Sequence, residues 1–322
     1  MKTSTKLPVR YLYWTKSKGI KGMLKSPEDF VVKERIGAEF FSRFRRGKNV
    51  EMSEGKYSLC LLTKKGMTTE EAVEKVARRL SIPGKNISYA GLKDKFSVSS
   101  QYITIKGQAN DMDGDGLKLE FIQFTDKKIS VGDLKSNLFE TSLCCNPEKI
   151  GEALDELKKG FPNYFGLQRF GSGLNNHVIG KFLVERNFGG ALELINNIYK
   201  RGYSSIHGVP KERLKFFIHA YQSWIFNETL SYLVRKKRYY RGCIPLAGCN
   251  TKNMKIIESA GISAGRKNFC IPELRIKVTG SMRKAFIKPR GIKYIREGDR
   301  VKLVFELPKG SYGTMLLREL EK

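Results

Sequence analysis

Short runs of alternating apolar and polar residues dominate the first half of this chain, and helical spacings dominate its middle. Phe30 and Val32 alternate with polar neighbours just after Pro27, which predicts a short strand, and 57–63 predicts a second. Thr68 and Glu71 form a capping box ahead of Ala72, Val73, Val76, Ala77 and Leu80, which fall on one helix face. Further strands are expected around 87–90, 98–106, 117–124 and 137–145. A helix at 149–159 turns Ile150, Ala153, Leu154 and Leu157 inward and stops at Gly160. Strands arrive in runs rather than in strict strand–helix alternation, so the class is α+β.

From about 176 to 238 the period changes. Val178, Phe182 and Leu183 predict one helix, and Ala191, Leu192, Leu194, Ile195 and Ile198 a second. A long third helix is expected at 214–235, rich in aromatics (Phe216, Phe217, Tyr221, Trp224, Phe226). Glycines and cysteines break up 242–276, and the strand pattern returns at 275–279 and 301–307. A helical block inside strand-rich ends reads as an insertion into a first domain that the C-terminus completes. No internal repeat or low-complexity segment interrupts this plan.

Composition narrows the function. A chain of 322 residues with 40% hydrophobic positions can bury a sizeable core. Sixty Lys and Arg against 32 Asp and Glu leave a net charge of +28, which points to a polyanionic partner, nucleic acid first. The segment 35–55 interleaves Arg43, Arg45, Arg46 and Lys48 with Phe40, Phe41 and Phe44, as suits base stacking with phosphate contact or, equally, a hairpin covering the core. No run approaches the ~18 apolar residues of a membrane span, and the first residues carry no apolar leader core. Cys60, Cys144, Cys145, Cys243, Cys249 and Cys270 form no C-x-x-C pair. With only His177, His207 and His219 beside them, no metal site is expected. The expectation is a cytoplasmic protein with buried free thiols, and nothing calls for an obligate partner, so a monomer is expected.

Three segments stand out chemically. Tyr-Ala-Gly-Leu-Lys-Asp-Lys-Phe-Ser-Val-Ser-Ser-Gln (89–101) reads as strand, turn, strand, with Asp94 between Lys93 and Lys95. The lysines favour its charged form and would draw a polyanion toward it. By itself such a turn is usually a solvated loop. Phe-Pro-Asn-Tyr-Phe-Gly-Leu-Gln-Arg-Phe-Gly-Ser-Gly (161–173) sets Asn163, Gln168 and Arg169 among aromatics on a constrained loop. An amide and flat rings could read a pyrimidine edge and face, and Arg169 could pair with a phosphate or a carboxylate. The alternative is a packed elbow between domains. Phe-Glu-Leu-Pro-Lys-Gly-Ser-Tyr-Gly-Thr (305–314) presents Tyr312 on a turn before a helix. A phosphate-binding glycine-rich loop, an H-E-x-x-H helix and a serine nucleophile elbow are all missing. The chemistry then falls to a carboxylate, amides, aromatics and cations.

Four segments resemble the TruD family of tRNA pseudouridine synthases, in family order across nearly the whole chain. They are Lys-Ser-Pro-Glu-Asp-Phe-Val-Val-Lys-Glu (25–34), Ala-Gly-Leu-Lys-Asp-Lys-Phe-Ser-Val-Ser-Ser-Gln (90–101), Asn-Tyr-Phe-Gly-Leu-Gln-Arg-Phe-Gly (163–171) and Leu-Pro-Lys-Gly-Ser-Tyr-Gly-Thr (307–314). Ser-Trp-Ile-Phe-Asn (223–227) is similar to a weaker family segment. The resemblance implies isomerisation of uridine to pseudouridine in tRNA, commonly at uridine 13, with no cofactor. It implies that Asp94 is catalytic, and that Phe30, Asn163, Phe165 and Tyr312 line the uracil pocket. Lys25 would be the family's basic residue ahead of Pro-Glu-Asp-Phe, at the substrate. Lys93, Lys95 and Arg169 are expected as RNA contacts or electrostatic support. The implied fold is a pseudouridine synthase-like catalytic domain with a mixed, largely antiparallel sheet (1–164 and 276–322) and an inserted, mainly helical TRUD domain (165–275).

Overall fold

The alternating runs assemble into one large sheet. The computed structural model describes residues 11–17, 20, 24–37, 55–145, 150–171 and 173–321. The arginine–phenylalanine segment around Phe40–Lys48, and the basic positions Lys18 and Lys21, lie outside the described residues. Two compact units emerge, one from Ser17–Lys158, Pro289–Gly313 and Leu320–Lys322, the other from Met1–Lys16, Lys159–Lys288 and Thr314–Glu319. The helical block expected over 165–275 falls within the second unit, which also takes in 159–164 and 276–288.

In the first unit the sheet strands are β1 (Phe30–Ile36), β2 (Tyr57–Lys65), β3 (Ile87–Tyr89), β4 (Val98–Lys106), β5 (Met112–Gly114), β6 (Leu117–Thr125), β7 (Leu134–Cys144), β8 (Arg290–Glu297) and β9 (Arg300–Pro308). Their order is β8-β9-β7-β1-β4-β2-β6-β5, with β3 also paired to β4. Only β1 and β4 run parallel among the described ladders, so the sheet is mixed and largely antiparallel. Helix α1 (Thr69–Arg79) starts at the capping box, where the Thr68 hydroxyl accepts the Glu71 N–H and Glu71 accepts the Thr68 N–H. Its Ala72, Val73, Val76 and Ala77 pack on Cys60, Leu62, Ile103, Ile105, Leu117 and Leu119 from one sheet face. Helix α2 (Ile150–Lys159) buries Ile150, Ala153, Leu154 and Leu157, the positions its spacing selects.

The second unit is built around α3 (Asn176–Val184), α4 (Phe188–Tyr199) and α5 (Lys211–Arg235). Helix α5 is buried on most of its circumference, Leu214, Phe217, Ile218, Ile225, Phe226 and Leu230 among its buried residues, the pattern of a central helix. It runs so close to α3 that a Cβ on Gly180 would lie 2.0 Å from the Phe217 carbonyl oxygen, and glycine alone permits the approach. Short antiparallel ladders join Phe161–Pro162 to Phe286–Ile287, Cys243–Leu246 to Ser281–Lys284, and Cys270–Ile271 to Ile276–Lys277.

The strand expected at 275–279 shrinks to two residues paired within this second unit. The thiols are free, but only Cys60 is buried, whereas the sequence suggested burial for all. Among the described residues no helix is long and apolar enough to cross a membrane.

Candidate active site

The Asp94 turn leaves β3 and enters β4, which pairs with β1 so that Val98 lies opposite Val31. The turn is bolted down along its length. Lys64, fully buried at the end of β2, donates its ammonium to the carbonyls of Asp94 (2.8 Å) and Met67 (2.6 Å). The Ser97 hydroxyl donates to the same Asp94 carbonyl at 2.7 Å. The Lys93 N–H donates to Thr69 Oγ1, Thr69 donates to Gln101 Oε1, and Gln101 Nε2 donates to the Gly91 carbonyl. Burial lowers the Lys64 ammonium to about 8, while the charge of Asp94 pulls it the other way. The Asp94 residue itself is half-buried, with its Oδ1 shielded from solvent, on a backbone held rigid.

The two lysines beside Asp94 part company. Lys93 is buried and its ammonium lies 2.7 Å from Glu34 Oε1, on β1, in an ion pair sealed from water. Glu34 also accepts the Tyr102 N–H. An ammonium consumed there is not presented to a phosphate, so the expectation of Lys93 as an RNA contact is corrected to that of a clamp. Lys95 stays exposed and reaches Glu71 Oε1 at 2.9 Å. The Thr68 N–H and then Lys95 hold the Glu71 carboxyl below the usual carboxylate range. Leu92 and Phe96, which sequence reading passed over, are exposed on either side of the acid. Two apolar residues inside a charged turn were the available signal.

Phe30 and the turn bearing Tyr312 come together in the same unit. The Phe30 ring lies 5.8 Å from that of Phe139, which stacks on Phe305 at 5.1 Å. A Cβ on Gly313 would stand 2.6 Å from the Phe139 ring, so glycine lets the Tyr312 turn close over this aromatic layer. Lys25 is exposed, and its N–H, like that of Ser26, is accepted by the Asp29 carboxylate. Asp29 also pairs with Arg300 at 3.0 Å. Burial opposes the Asp29 charge, but those N–H groups and the guanidinium outweigh it and keep the carboxyl below its ordinary range.

The second unit holds Asn163, Phe165 and Arg169. Asn163 follows the strand Phe161–Pro162, its Nδ2 donating to the Lys284 carbonyl and its Oδ1 accepting from Arg283 at 2.9 Å. Arg283 also donates to the Asn163 carbonyl and sits over the Phe165 ring, 3.9 Å from its centroid. Arg169 approaches the same ring at 5.7 Å and donates to the Ser223 hydroxyl. Asn227, in the Ser-Trp-Ile-Phe-Asn segment, accepts the Phe165 N–H and donates to its carbonyl. Sequence reading missed Arg283, which sits in an exposed, outwardly ordinary basic strand. His177, as expected of a structural histidine, packs between the rings of Phe170 and Trp224, and burial lowers it to about 4.

The fold matches a crystal structure of a Methanosarcina mazei protein assigned to tRNA pseudouridine synthase D, with a TM-score of 0.65 and 24% identity, over 96% of this chain and 95% of that one. A mixed sheet, a rigid acid-bearing turn beside it and a strongly basic chain thus define an α+β protein with a pseudouridine synthase-like fold.

The family model for tRNA pseudouridine synthase D (TruD) matches residues 10–204 and 243–320. tRNA pseudouridine synthase D of Aquifex aeolicus is 30% identical, with 92% of this chain and 97% of the relative covered. The enzyme of the same name from Photobacterium profundum is 28% identical, covering 93% and 91%. The chain belongs to the TruD family, a family of isomerases.

Proposed function

We propose that this protein is a cytoplasmic, monomeric tRNA pseudouridine synthase that isomerises uridine 13 of tRNA without a cofactor, using Asp94 as its catalytic carboxylate. The observation that carries this reading is the half-buried Asp94 turn, whose backbone is anchored by Lys64, Ser97, Thr69 and Gln101. Rigid support of that kind suits a group that must meet a substrate in one geometry. Family membership supports the same reading, since the relatives carry the name of the activity.

In this mechanism the basic surface gathers tRNA by its phosphates, with Lys25, Lys95 and Arg169 as contacts. The target uridine leaves its stack at a cost of roughly a few kcal/mol. Asn163 meets the uracil edge: Oδ1 retains a second lone pair and Nδ2 a second N–H. Tyr312 supplies aromatic surface to the base, while Phe30 and Phe165, 1% and 7% exposed, are packed within their units and support the pocket walls. Asp94 either attacks the ribose C1′ or removes a ribose proton to give a glycal. The glycosidic C–N bond breaks, the base turns, and a C–C bond forms through C5, whose proton is then lost.

The test uses unmodified tRNA and carbodiimide-dependent primer extension. Wild type is expected to give a stop reporting pseudouridine at position 13, and Asp94→Asn none. Product formed by Asp94→Asn would remove the aspartate from the chemistry. Wild-type protein that binds tRNA yet never modifies it would make the chain a non-catalytic RNA-binding protein on this scaffold.

A further inference from the structure

The second unit contains a cavity of about 520 Å3 that none of the residues assigned to the target uridine lines. We infer that it is a nucleotide-binding pocket for a second, unstacked nucleotide of the RNA; the inference rests on the reading of tRNA as substrate. The cavity is of ligand size, where pockets run to roughly 300–1,000 Å3. Its walls carry Tyr240 and Met282, both exposed, as surfaces for the face of a base. Asn250 and Asn253 provide edge groups, and Lys252 and Lys255 provide cations. No carboxylate lines it.

The pocket is built rather than incidental. Its base is the ladder of Cys243–Leu246 with Ser281–Lys284. A Cβ on Gly280 would fall 2.2 Å from Thr251 Oγ1, so the two walls approach as closely as glycine allows. Thr251 donates to the Leu246 carbonyl and receives a bond from Arg266 on its own carbonyl, which pins the 250–253 turn. The Gly280 N–H donates to Asn250 Oδ1 and the Lys255 N–H to Asn253 Oδ1. Each amide is therefore oriented by its oxygen, with Nδ2 left to donate, which favours the acceptor-rich edge of a base.

Charge decides between a free small molecule and a polymer. The run Arg-Lys-Lys-Arg-Tyr-Tyr-Arg (235–241) is exposed throughout and leads directly into Tyr240. Five cations exceed what one phosphate group needs and suit a backbone passing through the site.

The test compares tRNA affinity, KM and cross-linking in full-length protein. Tyr240→Ala is expected to weaken tRNA binding roughly tenfold or more, the loss of one stacking platform, and to raise KM by a similar factor. Tyr240 is exposed, so its removal opens no core, and circular dichroism verifies the fold. Irradiation with 4-thiouridine-substituted tRNA is expected to label the segment 240–256 in wild type. Wild-type affinity in Tyr240→Ala, or no labelling of that segment, overturns the inference while leaving pseudouridine formation untouched. Pocket-dependent binding without any pseudouridine sustains the pocket and sinks the proposed activity.

Discussion

Lys64 shows how a charge can serve a site without facing it. Strand alternation puts it on the same side as Leu62 and Cys60, into the interior, where an unpaired ammonium would be costly. It is retained because two carbonyls, one belonging to Asp94, accept its protons. Lys64→Met removes the bonds while keeping much of the volume. The turn then loses its deepest anchor, and kcat is expected to fall on the order of 10²-fold, the scale of a small misplacement of a reacting group. Affinity for tRNA should change far less, which single-turnover kinetics and filter binding can separate. Equal kcat in both proteins would deny Lys64 a positioning role. At this scale Asp94, Phe30 and Tyr312 were readable as motif residues. Lys64 and Arg283 were not, because their partners are distant backbone carbonyls and an aromatic ring supplied by other segments.

Elements with a buried face were legible. The capping box and the spacing of Ala72, Val73, Val76 and Ala77 located α1, and alternation located β2, β4, β6 and β7. Edge strands were not. β8 is exposed along almost its whole length, and Arg-Gly-Ile-Lys-Tyr-Ile-Arg-Glu carries no inward face to betray it. The join between β1 and the Asp94 turn is equally invisible in sequence, since it rests on Glu34 meeting Lys93. Glu34→Gln leaves the Lys93 ammonium buried without its counter-charge. Urea denaturation at pH 7 is expected to show a loss of about 3–5 kcal/mol. Pairing Glu34→Leu with Lys93→Met should recover much of that stability, because neither charge then needs solvation. A Glu34→Gln protein as stable as wild type would mean that water reaches the pair.

For the whole molecule the net charge of +28 sets the conditions of encounter. Binding led by phosphate contacts releases counterions, so log Kd should vary linearly with log salt. If six to ten phosphates are met, affinity should fall roughly 10³- to 10⁵-fold between about 50 and 200 mM salt. An affinity flat over that range would mean that shape and base contacts carry the complex instead. The division of the chain follows the same logic of long-range assembly. Residues 159–164 and 276–288 look like material of the first domain, yet Phe161–Pro162 pairs with Phe286–Ile287, and Ser281–Lys284 with Cys243–Leu246, inside the helical unit.

The amino-acid sequence by itself determined the class of fold and the family, and it singled out a polyanionic partner and Asp94 as the candidates, because these depend on local periodicity, composition and short motifs. Tertiary structure alone decided which cations serve the acid. The lysines adjacent in sequence turned out to be a buried clamp and a surface pair, while Lys64, thirty residues away, holds the turn from beneath. Burial and partnership are properties of distant segments brought together, and a local pattern carries no record of the distance at which a charge will find its partner.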